Sequence, residues 1–120
     1  LLQQARSLAG RGELAEAATI LQRARQFDAG HADLPASQEA LAQAVDQRLR
    51  QAQRALQRRQ LESAAKGFLA VLAVAVDDSS AQRGREQTLQ AVLARSQKRA
   101  DDFQFEPAQA DSALAAELGA

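Results

Sequence analysis

The chain has 120 residues, with fifteen basic and fifteen acidic side chains, one histidine and no cysteine. That length fills one domain and can bury a core if its elements share it. Zero formal charge argues against holding nucleic acid or an anionic membrane by net charge, and the lack of cysteine excludes disulfides, thiolate metal sites and thiol nucleophiles.

No apolar run approaches the length of a membrane span, and no leader pattern opens the chain. Alanine, glutamine, leucine and arginine dominate, with only Pro35 and Pro107 as prolines and few β-branched residues, so the expected class is all-α. The absence of methionine and the start inside a periodic pattern at Leu1 and Leu2 suggest an excerpt of a longer protein. Thirteen arginines against two lysines suggest a GC-rich bacterial source.

Leu1 to Arg11 reads as a first helix because Leu1, Ala5 and Leu8 share one face, and Gly10 with Gly12 ends it in a tight turn. A second helix, about Glu13 to Asp28, carries Leu14, Ala17, Ala18, Leu21, Ala24 and Phe27 at helical spacing. Glu13 and Glu16 near its start and Arg23 and Arg25 near its end suit the helix dipole. Ala29 to Pro35 reads as a loop, with Gly30 as the stop and Asp33 and Pro35 as the next start. A long third helix, about Ala36 to Arg59, follows from the unbroken stripe Leu41, Val45, Leu49, Ala52 and Leu56.

The fourth helix, about Leu61 to Val76, is the most apolar segment and belongs at the centre of the domain. Gly67 within it is costly unless another helix approaches closely there. Asp77 to Ser80 breaks the chain, and Ser79 with Gln82 predicts a capping box for a fifth helix reaching about Ala100. Leu89, Val92 and Leu93 form its apolar face, and Gly84 weakens its first turns. Asp101 to Glu106 reads as a turn carrying Phe103 and Phe105, and Pro107 suits the opening turn of a sixth helix to about Leu118.

The pattern of the second helix returns 47 residues later as Leu61, Ala64, Ala65, Phe68, Val71 and Val74. A further 44 residues on it returns more faintly as Phe105, Ala108, Ser112, Ala115 and Leu118. Such self-similarity marks a helical repeat array, in which each unit leaves an apolar face for its neighbour to cover. Three stacked antiparallel hairpins are expected, with units of about 1–44, 45–89 and 90–120 in a single domain spanning 1–120.

These positions resemble those of the tetratricopeptide-repeat family. The first unit matches best, through Leu1, Ala5, Leu8, Gly12, Leu14, Ala17, Leu21, Ala24, Phe27 and Asp28. The second keeps Ala52, Leu61, Ala64, Phe68, Val71 and Val74 but has Arg59 in place of the turn glycine. The third keeps Phe105, Ala108, Ala115 and Leu118. The resemblance implies a right-handed α-α superhelix that binds another protein on the inner face of its first helices. Repeats of that family are about 34 residues long, so the longer spacings here put the pitch and the groove in question. Where some members carry a lysine and asparagine clamp for a terminal carboxylate, this chain has Leu2, Arg6, Leu49, Gln53, Leu93 and Gln97, which argues against such a clamp.

Arg50, Arg54 and Arg58 lie four apart on one stripe of the third helix, and between Arg48 and Lys66 six cations face the single acid Glu62. The stripe suits an acidic peptide or a phosphate; the alternative is a solvated face, with Asp46 placed to pair with Arg50. No aromatic residue is interleaved to stack on bases, which argues against nucleic acid. Leu49, Leu56 and Leu93, with Gln53, Gln57 and Gln97 beside them, fall where the family's inner surface lies, either as an open amide-rich groove or as core closed over by the long repeats.

From Asp101 onward there are five acids and no base. Their expected role is to cap helix starts and solvate the end of the array, with docking on the arginine stripe of a second copy as an alternative. His31, in a loop between Asp28 and Asp33, is far short of a zinc site. No nucleophile elbow, second histidine or Gly-rich phosphate loop is present, so no catalysis, metal or cofactor is expected.

The function expected is therefore a non-catalytic interaction or scaffold domain whose partner is another protein or peptide, acidic if the arginines engage it, with self-association open. The alternatives are a regulatory or sensory domain of a larger bacterial signalling enzyme and a structural homo-oligomerisation module. The compartment stays open between bacterial cytoplasm and periplasm, in a soluble protein or the soluble part of a membrane-anchored parent.

Overall fold

The computed structural model describes all 120 residues and contains six helices and no strand. They are α1 (Leu2–Gly10), α2 (Leu14–Phe27), α3 (Leu34–Gln57), α4 (Leu61–Leu72), α5 (Ser79–Asp101) and α6 (Phe105–Glu117). No helix is long and apolar enough to cross a membrane.

The turns α1–α2, α3–α4 and α5–α6 share one backbone design. The N–H of Glu13 donates to the carbonyl of Leu8, that of Gln60 to Ala55 and that of Gln104 to Arg99. One residue earlier, Gly12, Arg59 and Phe103 donate to Ala9, Leu56 and Ala100. These paired bonds are the Schellman ending, which needs a left-handed residue just past the helix, and Gly12, Arg59 and Phe103 have φ of 80°, 60° and 60°. Leu14, Leu61 and Phe105 then each open the second helix of a hairpin.

Packing shows what the extra length of α3 and α5 does. Ala5, Leu21 and Ala24 of the first hairpin enclose Leu34, at the start of α3, while Leu41 and Ala44 pack against Leu8, Ala9 and Ala17. The later turns of α3 pair with α4 through Ala52, Ala55, Ala64 and Phe68. In the same way, α5 lays its first turns on α4 and its later ones on α6, and Leu61, Ala65, Leu89, Val92, Ala115 and Leu118 form one cluster. Each long helix thus packs both on the hairpin before it and on its own hairpin partner, so successive hairpins are staggered along a common axis. The particle measures 59 × 22 × 21 Å, with a radius of gyration of 17.2 Å; a compact domain of this length has about 14 Å.

Two close helix approaches depend on missing side chains. A Cβ at Gly67 would lie 2.6 Å from the Cβ of Ala52, so the glycine lets α4 approach α3. A Cβ at Gly84 would overlap the ring of Phe68. The glycine that weakens α5 intrinsically is the seat of the largest fully buried side chain.

Three local expectations are corrected. Helix α4 ends at Leu72 rather than Val76: the β-branched Val74 and Val76 are poorer helix formers, and the chain leaves through turns in which Ala75 donates to the Val71 carbonyl and Asp78 to that of Ala75. The cap of α5 is Asp78, whose carboxylate accepts the Ala81 N–H at 2.9 Å, so Ser79 is already helical and the Gln82 amide donates instead to the Val76 carbonyl. A carboxylate complements the positive end of a helix better than a neutral hydroxyl. Phe27, expected in the core, is 89% exposed. Helix α2 outruns α1, so Phe27 overhangs an open cleft with Leu1, Leu2 and Ala24.

Candidate partner-binding surface

The arginine stripe of α3 lies open to solvent. Arg50 pairs with Asp46 at 3.0 Å, one turn away, a contact that contributes only a few tenths of a kcal/mol at an exposed site. Arg54 and Arg58 are exposed and form no ion pair. Leu49 and Leu56 are half-buried and pack against Ala52, Ala55, Ala64 and Phe68.

Beside this stripe, the last turns of α3 and the first turns of α5 enclose a cleft of about 250 Å³. Gln53, Leu56 and Gln57 line it from α3, Phe68 from α4, and Ser80, Arg83, Gly84 and Gln87 from α5. Three of the residues expected on an inner surface therefore meet there. Leu93 and Gln97 lie outside it: Leu93 is 40% exposed, and the Gln97 amide donates to the Asp101 carboxylate at 2.9 Å. The stagger is the cause, because it brings the added first turns of α5, rather than its later repeat-like part, alongside Gln53 and Gln57. Arg83 and Gln87 were missed for the same reason; the helical glycine beside them, Gly84, was the sequence signal of a close approach there, and its partner Phe68 emerges only from the packing.

The strongest polar cluster lies elsewhere and joins three helices. Asp111 on α6 is 2% exposed and accepts from Arg95 Nε at 3.1 Å, Arg95 Nη2 at 2.7 Å and Arg99 Nη1 at 2.9 Å, both arginines lying on α5. The same Arg95 Nη2 donates to Glu62 on α4. That hydrogen bond holds the Glu62 carboxyl below its ordinary value of 4.5. Asp111 is thus a buried tie rather than one of the solvating acids at the end of the array. Glu62, the one acid in the basic segment, points to α5 and leaves Arg54 and Arg58 of α3 without an ion pair.

Asp101, Asp102 and Glu106 remain exposed around the last hairpin turn, where the rings of Phe103 and Phe105 meet edge to face at 6.1 Å. His31 sits in its loop as expected, its Nδ1 accepting the Asp33 N–H at 3.1 Å. No three His, Cys, Asp or Glu side chains converge as metal ligands would. No family model, characterised protein or solved structure matches the chain. What this surface can do follows from its own geometry.

Proposed function

We propose that the chain is a non-catalytic scaffold, a tetratricopeptide-like array of three hairpins that receives another protein on the face shared by α3 and α5. The observation carrying this reading is a ready-made cleft lined by three glutamines and an arginine, bordered by the unpaired Arg54 and Arg58. Its walls are helices held by buried cores, so association costs little ordering entropy. The array differs from shorter repeats in its stagger, which replaces a continuous concave wall with local clefts between long helices.

Affinity capture from a bacterial lysate tests the reading, with the Arg50→Ala, Arg54→Ala, Arg58→Ala variant as the paired bait. The expected result is a set of proteins retained by the natural chain and lost by the variant, with unchanged far-ultraviolet circular dichroism. Identical sets from both baits would overturn it. The exposed Phe27, Val76, Phe103 and Phe105 favour a second reading, a self-assembling structural module. Light scattering across a dilution series separates the two.

A further inference from the structure

We infer that the cleft between α3 and α5 takes an acidic peptide in extended conformation, with Arg83 as the anchor for a glutamate or aspartate side chain. The inference rests on the scaffold reading and names the chemistry of its partner. Arg83 is the only charged residue lining the cleft, and it has no ion pair. Its guanidinium presents a planar fork matched to a carboxylate, which it can hold through two parallel hydrogen bonds.

None of the acids on the surrounding elements lines the cleft. Asp46 is held by Arg50 and Glu62 by Arg95, Asp78 caps α5 by accepting the Ala81 N–H, Glu86 accepts from Gln90, and Asp77 is exposed in the turn before α5. Arg54 and Arg58 follow Gln53 and Gln57 directly on α3 and add positive charge at the border. An acidic chain is therefore drawn in and a basic one repelled.

The remaining lining selects a peptide over other anions. Gln53, Gln57 and Gln87 each offer a donor and an acceptor, the pair that a main-chain N–H and C=O require, and Ser80 adds a hydroxyl. Leu56, half-buried above the fully buried ring of Phe68, supplies an apolar floor for a neighbouring side chain. About 250 Å³ falls below the roughly 300–1,000 Å³ of small-molecule sites and suits one or two side chains of a segment laid across the opening. No exposed aromatic ring lines the cleft to stack on a base, which disfavours single-stranded nucleic acid.

The test is fluorescence anisotropy with a labelled peptide of repeating glycine, glutamate and leucine, beside its lysine counterpart and a single-stranded oligonucleotide. The glutamate peptide should bind best, about tenfold more weakly to Arg83→Ala, and equally to a control, Arg23→Ala, on the exposed face of α2. Added salt should weaken binding, and less so in Arg54→Ala, Arg58→Ala. No binding of the glutamate peptide, equal binding by Arg83→Ala, or tighter binding of the lysine peptide or the oligonucleotide would overturn the inference. If lysate proteins were still retained through α3 in that case, the scaffold reading would survive it.

Discussion

At the scale of single residues, two side chains occupy costly backbone conformations for an identifiable reason. Arg59 and Phe103 adopt the left-handed conformation that Gly12 adopts freely, at a cost of about 1 kcal/mol each. Arg59→Gly should therefore raise stability by up to about 1 kcal/mol in urea titration, since the turn already requires that φ. Asp111 has the opposite character. Removing its charge with Asp111→Asn leaves Arg95 and Arg99 partly buried without their common partner, and the loss should be about 2–3 kcal/mol, at the low end for a broken buried pair because both arginines keep some water. Glu62 links the same cluster to pH. Its folded-state pKa is depressed, so its stabilisation is fully present above 4.5 and is lost as pH falls through and below that value. The melting temperature of Glu62→Gln should lie below that of the natural chain at neutral pH and converge with it under acid.

At the scale of elements, the sequence carried much of the design. Hairpin turns were legible because Gly12 and the apolar period mark one register, and Leu14, Leu61 and Phe105 each open a second helix as that register requires. The wholly buried Ala17 and Ala64 follow from the same period. Either position changed to glutamate should prevent folding, because a carboxylate there has neither water nor a partner. The Arg95–Asp111 tie was illegible: its members are 16 residues apart on separate helices, and no periodicity links them. The glycines were half legible. Gly67 announced a close approach, but only the packing shows Ala52 against it and Phe68 against Gly84. Gly67→Ala and Gly84→Ala should each cost about 1–3 kcal/mol through overpacking, despite better helix propensity. Gly10→Ala, with open space around it, should be neutral or stabilising.

For the whole molecule, the stagger decides which surfaces exist. Long helices that end one hairpin's core and begin the next carry α5 past the position that a shorter repeat would give it. Arg83 and Gln87 thereby come to face Gln53 and Gln57, while Leu93 and Gln97 are left outside. Sequence matching to a shorter repeat could not find that cleft, because adjacent first helices are related by packing offset rather than by repeat position. Arg6 on α1 already shows the offset: its Nε donates to Ser37, 31 residues on, near the start of α3. The direct test is small-angle X-ray scattering extrapolated to zero concentration. A monomer whose radius of gyration is at or somewhat above the 17.2 Å of its Cα atoms, and whose longest dimension is at least 59 Å, is the result expected of staggered hairpins. A radius near the 14 Å or so of a compact domain of this length would contradict the stagger, and with it the cleft between α3 and α5.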